Sequence, residues 1–450
     1  MLEKGGDKLR TILERSVGTD NAGICFDAIQ TSPSVSVRLN PSKVADPESF
    51  VRNCFGEGCE RVSWSPYGYF LPARPQFTLD PLFHCGCYYV QDSSAMAVGH
   101  MFRTVLERFP VDQEVVRVLD LCAAPGGKTT DIASSLRDRF GDSFVLVSNE
   151  VMKDRASVLA DNVAVWGDPN VVVTSVDPKA FAGLEGYFDI IVTDVPCSGE
   201  GMFRKEDKAL EDWSEDVVNL CAQRQRRIVA DVWPSLREGG IIVYSTCTFE
   251  ESENDLNVEW IASELGGTVL KTDWSRWDGI LPTRTGALFV PGLVKGEGQF
   301  VSALMKASGS DGSNAFPGRK SVSRENGCVE KMKGDLLIRI DAPVSAESNV
   351  LDTLRPLLCG VAQGTMKGRD LVPSADLALS LSLEDGRFPE ADLDRGTALK
   401  FLHGDTIMIP DAPRGFLTVT YQGHPLGFVK NLGNRCNNLH PHGRRIRMNI

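Results

Sequence analysis

The sequence lacks the features that carry a chain into or across a membrane. No segment approaches the roughly 20 consecutive apolar residues of a membrane span, and Met1 to Arg10 contains no apolar signal core. A soluble, cytoplasmic chain with no membrane partner is expected. In that compartment the twelve cysteines read as reduced thiols used for packing, chemistry or metal rather than as disulfides. A zinc spacing is missing too: Cys54 and Cys59 have four intervening residues, and Cys85 and Cys87, beside His84, have one, which match no common finger. Buried thiols and no bound metal are the expectation there.

Positive charge is also short. With 48 Lys and Arg against 60 Asp and Glu the net charge is −12, which excludes nonspecific nucleic-acid affinity over the whole surface because phosphates are repelled at long range. The end of the chain shows the reverse shortage. After Asp411 there is no acidic residue, while Arg414, Lys430, Arg435, Arg444, Arg445 and Arg447 are positive and Asn437, Asn438, His440 and His442 lie among them. A local RNA-contacting surface is expected there. The remaining composition is ordinary: 42% hydrophobic and 24% charged over 450 residues, enough for about two to four domains.

The most informative stretch is Val116 to Thr130, VRVLDLCAAPGGKTT. It reads as a buried strand ending at Asp120 and Leu121, a tight turn through Pro125, Gly126 and Gly127, and a helix from Lys128 to Leu136. A glycine turn lets backbone amides approach a ligand closely, and a helix N-terminus favours an anionic group. A P-loop would need glycine at Cys122, and a dinucleotide fingerprint would need a third glycine among Lys128, Thr129 and Thr130. Both are missing, which leaves S-adenosyl-L-methionine over Cys122, Ala123, Ala124, Pro125, Gly126, Gly127 and Lys128, or a glycine turn that only packs a helix on the sheet.

From Val115 to Lys306 strands alternate with helices, as in a largely parallel sheet covered on both faces. The expected strands are Val115–Leu121, Phe144–Asn149, Val171–Val176, Phe188–Asp194 and Gly240–Ser245, with Ala287–Val290 and Gln299–Met305 as a terminal antiparallel pair. Ligands of such sheets bind beyond the carboxyl ends of the strands. There the chain carries Glu150, suited to the cofactor ribose; Asp177, suited to its adenine amine; Asp120 and Asp194, suited to neighbouring a sulfonium; and Cys247.

Two cysteines are candidate nucleophiles, Cys197 in Asp194-Val195-Pro196-Cys197 and Cys247 in Thr246-Cys247-Thr248. Carbon 5 of a pyrimidine does not attack a sulfonium unaided, but a thiolate added to carbon 6 makes it enamine-like. A free thiol needs activation by charge or a helix N-terminus, and a helix over Ser252–Trp260, with Glu251 and Glu253 near its start, is expected downstream of Cys247. Residue chemistry alone leaves the order of the two thiols open.

With these motifs, the region from Val37 to Lys306 resembles the Sun-type family of RNA cytosine-5 methyltransferases. Val37-Arg38-Leu39-Asn40, Tyr88 through Ser94 and Lys295-Gly296-Glu297-Gly298 extend the likeness. The residues beyond Leu357 resemble the C-terminal extension of the bacterial small-subunit ribosomal RNA methyltransferase F group. The resemblance implies an α/β fold: a Rossmann-like methyltransferase sheet, an N-terminal α+β domain and a C-terminal PUA-like α+β domain. It implies Cys247 as nucleophile, Cys197 in product release, Asp194 as a third catalytic group, and methylation of cytosine carbon 5 in ribosomal RNA by a monomer. Val195 stands where relatives usually carry alanine, and Gly292 where some carry histidine. Expected boundaries are 1–108, 109–306, a linker at 307–328, and 329–450. Transfer RNA is the alternative target. A catalytically silent RNA-binding protein would be expected to lack one of Asp194, Cys197 or Cys247, and all three are present.

Overall fold

A computed structural model describes residues 6–110, 115–205, 207–308 and 327–449, so nearly all of the expected linker lies outside the described residues. Four strands come first: β1 (Val35–Leu39), β2 (Glu60–Arg61), β3 (Gly68–Leu71) and β4 (Tyr88–Val90), paired antiparallel in the order β2-β3-β1-β4. Nine strands then build the central sheet: β5 (Val116–Asp120), β6 (Phe144–Asn149), β7 (Val171–Thr174), β8 (Phe188–Asp194), β9 (Leu236–Thr246), β10 (Gly267–Val269), β11 (Leu281–Pro282), β12 (Ala287–Phe289) and β13 (Gln299–Lys306). The order is β11-β12-β13-β9-β8-β5-β6-β7, with β10 also on β13. β5 to β9 run parallel and β13 is antiparallel to β9.

Side-chain alternation explains why this sheet is covered twice. Leu119, Val147, Val172, Ile191 and Ile242 enter one apolar cluster, while Val118, Leu146, Val173, Val192 and Val243 enter the other. Each buried aliphatic side chain contributes about 1.5–3 kcal/mol. Both layers borrow from the first hundred residues: Leu9 and Leu13 from the helix Gly6–Val17 join the first cluster, and Met101 and Phe102 from the helix Met96–Leu106 join the second.

β7 ends at Thr174 rather than at Val176. The Asn149 carboxamide takes over there, accepting the Val176 amide at 3.0 Å and donating to the Val176 carbonyl at 3.0 Å. Ala95 is the N-cap of the helix Met96–Leu106, and just ahead of it Asp92 accepts the amides of Ser94 and Glu297 at 3.0 and 3.1 Å.

The last part carries two four-stranded sheets, β14 (Val329–Lys333) to β17 (Asp370–Pro373) and β18 (Glu390–Asp392) to β21 (Cys436–Asn438). The outer edge of β7 is not left open, because the Leu357 amide bonds the Val173 carbonyl at 2.8 Å. The first sheet and the last share one core, in which Val37, Leu39 and Tyr88 meet Leu399, Phe401 and Leu417. Cys85 and Cys87 are buried in that core.

Arg38 on β1 is fully buried. Its Nε donates to Gln91 Oε1 at 2.8 Å and its Nη2 to the Gly127 carbonyl at 3.1 Å, and the guanidinium lies 4.7 Å from the Trp166 ring centre. The first sheet is thereby tied to the glycine turn, so this arginine has a core role. Arg38→Met should lower stability by about 3 kcal/mol, since it strands buried acceptors and leaves Asp131 short of a cation. Urea unfolding measures this, and a loss below about 1 kcal/mol would mean that apolar packing alone holds the two sheets together.

Candidate active site

Strand order reverses between β5 and β8, and the parallel strands present their carboxyl ends at one edge. After β5 the chain is pinned to both neighbours: Leu121 N bonds Val192 O at 2.9 Å and Ala123 N bonds Asn149 O at 2.9 Å. Gly126, at φ 113°, then opens the helix Gly127–Phe140. A Cβ on Gly127 would sit 3.2 Å from the Tyr89 ring. Arg155 holds the Ala124 carbonyl at 3.0 Å and Asn162 the Pro125 carbonyl at 2.8 Å, so the turn is fixed from outside.

The turn sits beside two buried acids, Glu150 and Asp120. Glu150 is buried at the end of β6, where it accepts the Met152 amide at 3.0 Å. Asp120 gives one oxygen to Thr129 at 2.6 Å, and its Oδ1 is buried without a partner. Burial pushes the Asp120 carboxyl up to about 7; the Thr129 hydroxyl and Lys128 work against this, while Asp194 and Glu150 add to it. The orphaned oxygen is an acceptor in need of a donor, and a methionine α-ammonium supplies one. Burial likewise drives the Cys122 thiol up to about 12, so it remains a neutral wall. Asp177 stands apart: it is exposed and caps the short turn Pro178–Gly183, accepting Lys179 N at 3.0 Å.

Asp194 ends β8 and accepts Lys128 Nζ at 2.8 Å, Ser245 Oγ at 2.8 Å and Gln299 Nε2 at 3.3 Å. Burial disfavours the Lys128 ammonium, yet Asp194, Cys247 and Asp120 more than offset it and its pKa is raised. Lys128 therefore carries its charge beside Cys247. Cys247 follows β9, and its sulfur lies 3.1 Å from that of Cys197. The Cys197 thiol is held well above its usual range, first by the hydrogen bond with Cys247 and then by burial, with Glu253 and Asp194 adding to both. Either sulfur can donate in that contact.

The helix after Cys247 starts later than expected. The downstream helix spans Asp255–Leu265 rather than starting at Ser252, because Glu253 and Asn254 turn back onto the Glu250 carbonyl and Asn254 bonds Thr246 and Thr248. Of the groups that support the two sulfurs, Gln225 carries no sequence signal. Gly201 donates to the Cys247 carbonyl at 2.8 Å, and a Cβ there would sit 2.6 Å from that oxygen. Glu253 accepts the Ser198 amide at 3.1 Å and Gln225 Nε2 at 2.6 Å, and Ser198 Oγ also reaches Glu200. Burial raises the Glu253 carboxyl to about 7. Gln299 was findable in principle, since it directly precedes Phe300, which pairs with Thr246 in register.

The basic end does not form the expected patch. Arg444 is largely buried and paired with Asp376 at 2.7 Å and Asp161 at 3.0 Å, and Arg445 packs over Gly404. Lys430 faces Asp370 at 3.6 Å. Arg414, Arg435 and Arg447 remain exposed. Among the described residues no group of three His, Cys, Asp or Glu side chains is arranged to hold a metal ion, and no described helix is long and apolar enough to cross a membrane.

Comparison with known proteins gives three family matches: "16S rRNA methyltransferase RsmB/F" over residues 105–305, an N-terminal domain of 16S rRNA methyltransferase RsmF over 9–93, and a methyltransferase RsmF PUA domain over 388–446. The ribosomal RNA small subunit methyltransferase F of Serratia proteamaculans is 31% identical over 382 residues, 78% of this chain and 77% of that protein. The chain belongs to the ribosomal RNA small-subunit methyltransferase F family. The Vibrio vulnificus member is 28% identical across 96% of this chain and 95% of its own length. Among solved structures, a methyltransferase homolog of Pyrococcus horikoshii has a TM-score of 0.55 at 23% identity, covering 65% of this chain and 93% of that one. The NSun6 of Pyrococcus horikoshii with SFG, an analogue of S-adenosylmethionine, has a TM-score of 0.56 at 19% identity, covering 68% and 100%. The fold is thus the Rossmann-like methyltransferase sheet with an N-terminal domain and a C-terminal PUA domain, and the family methyltransferase is S-adenosylmethionine-dependent.

An α-ammonium held by Asp120 would link cofactor affinity to pH. A cation binds the ionised form, so S-adenosylhomocysteine, which keeps the α-ammonium, should bind roughly tenfold tighter at pH 8 than at pH 6. In the free protein the sign is opposite: a raised carboxyl pKa contributes stability below the ordinary carboxylate range that is lost as pH rises through about 7. Calorimetric titration of wild type and Asp120→Asn checks the first statement. Affinity as steep in the variant as in wild type would remove Asp120 from that role.

Proposed function

We propose that this methyltransferase methylates carbon 5 of cytosine in small-subunit ribosomal RNA through a covalent adduct at carbon 6. The observation that carries the reading is the pair of sulfurs 3.1 Å apart, with the Lys128–Asp194 pair beside them. When bound, the cofactor supplies an electrophilic methyl group. Glu150 receives the ribose hydroxyls, Asp120 takes the α-ammonium, and the Cys122–Lys128 turn backs the methionine moiety.

Cys247 adds as its thiolate to carbon 6 and makes carbon 5 nucleophilic, with Lys128 the cation beside it. Asp194 keeps Lys128 in place and is itself held by Ser245 and Gln299. Release requires loss of the carbon 5 proton and departure of Cys247 from carbon 6. Cys197 touches the Cys247 sulfur and is positioned for that step. The target is taken from the relatives, whose names specify the small ribosomal subunit and which this chain matches nearly end to end. Asp177 is a weaker adenine partner than its strand-end position suggested, because it is exposed and already capping a turn.

Two variants separate the thiols. Cys247→Ala should abolish methyl transfer and leave no covalent RNA, whereas Cys197→Ala should form an adduct with RNA and cofactor that persists on denaturing gels. An adduct in Cys247→Ala and none in Cys197→Ala would reverse the roles.

A further inference from the structure

One buried hydrogen-bond network holds the chain on both sides of Cys197. Pro196, just ahead of it, has no amide hydrogen to give, so its carbonyl is the backbone handle on that side. Gln225 Nε2 donates to that carbonyl at 3.0 Å. Ser198, just after Cys197, gives its amide to Glu253 Oε2 at 3.1 Å, and the same Gln225 Nε2 reaches that oxygen at 2.6 Å. Gln225, on the helix Glu215–Val232, and Glu253 are both fully buried. With no exposed surface, Gln225 acts on the site only through the loop it holds.

The Gln225 amide is locked in one orientation. Arg226 Nε donates to Asn257 Oδ1 at 2.7 Å, and a guanidinium only donates, so the Asn257 amine faces the other way and meets Gln225 Oε1 at 2.7 Å. Gln225 Oε1 is therefore the acceptor, and Nε2 is left for the Pro196 carbonyl and the Glu253 carboxyl. The Tyr244 hydroxyl, 2.6 Å from the Glu253 carbonyl and 3.1 Å from Gln225 Oε1, ties the same network to β9, three residues before Cys247. The two cysteine segments are thus fixed by one set of side chains, and every donor in it has an acceptor.

We propose that Gln225 is a positioning residue for breakdown of the covalent adduct, holding Cys197 against the Cys247 sulfur. The inference rests on the reading of the two thiols given above. In breakdown a water takes the proton from carbon 5, and that bond's electron pair closes the double bond to carbon 6. The carbon 6–sulfur bond then breaks with its pair on the Cys247 sulfur. That sulfur has no proton of its own in the adduct, so Cys197, 3.1 Å away, is the S–H that meets the departing thiolate. Formation of the adduct needs the Cys247 thiolate and not Cys197, so Gln225 serves the second half of the reaction. A reacting group misplaced by about 1 Å loses up to about a hundredfold in rate.

The test follows the adduct through a single turnover with RNA and S-adenosylmethionine, sampled over time on denaturing gels. Gln225→Met keeps the length of the side chain and removes both polar atoms. It should form the adduct within about threefold of the wild-type rate and break it down at least about tenfold more slowly. Asn257→Asp matches the size of asparagine and sets its charge against Arg226, but withdraws the donor that orients Gln225. It should prolong the adduct by about threefold or more, the size of one hydrogen bond. Calorimetric binding of S-adenosylhomocysteine reports that each variant is folded, and if Gln225→Met fails there, Asn257→Asp decides by the same criteria.

Formation and breakdown slowed together would make the network a plain part of the fold, and breakdown at the wild-type rate in both variants would remove Gln225 from the step. Cys197→Ala run beside them separates the two readings. A persistent adduct in Cys197→Ala with ordinary lifetimes in the other two sinks only Gln225, whereas no adduct in Cys197→Ala sinks the role of Cys197 and the positioning with it.

Discussion

The Lys128 ammonium, 2.8 Å from Asp194, is the contact on which the reactive geometry depends. Lys128 comes from the helix after β5 and Asp194 from the end of β8, so the pair joins the glycine turn to the strand that leads into Cys197. Asp194 also takes Ser245, two residues before Cys247, and Gln299 at the start of β13. One carboxylate thus gathers the ends of β8, β9 and β13 around one cation. Removing either charge leaves the other largely buried, which is why the pair acts as a positional constraint as well as a source of potential.

Close backbone approach does the rest. Gly201 and Gly298 sit so near each other and the Cys247 carbonyl that a Cβ on Gly201 would come within 2.6 Å of that oxygen. The Asp92-Ser93-Ser94 turn grips the loop carrying Gly298, with Ser93 Oγ on the Lys295 carbonyl at 2.6 Å and Asp92 on the Glu297 amide. Arg204 closes the same loop through Glu297 at 2.8 Å. The loops around the two sulfurs are therefore set by contacts with a segment ahead of the central sheet, and mobility there would separate the two thiols.

The central sheet was legible because its alternation and length are local: Phe144–Asn149 and Phe188–Asp194 need only their own residues. The strand-end acids followed from the same reading, and β7 was overrun because the Asn149 side chain, not a strand, holds Val176. Glu253 was in view, but its meeting with Ser198 and Gln225 was not legible, since the three come from loops and a helix apart in sequence. Arg444 shows the opposite failure. A run free of acids looked like an open basic patch, but its acid partner Asp161 lies 283 residues earlier in the chain.

That pairing bears on how an acidic chain holds RNA. Arg117 with Glu347, Arg137 with Asp168, Arg204 with Glu297 and Arg237 with Asp189 are all taken up in largely buried ion pairs. Those arginines stabilise the fold and neutralise acids within it; they offer little to a phosphate chain outside. With a net charge of −12, long-range attraction does not deliver the substrate. Recognition then falls to short-range contacts, for which Arg414, Arg435 and Arg447 are exposed. A chain built this way gains selectivity from each base it reads, because it has little nonspecific affinity against which the specific contacts would have to compete.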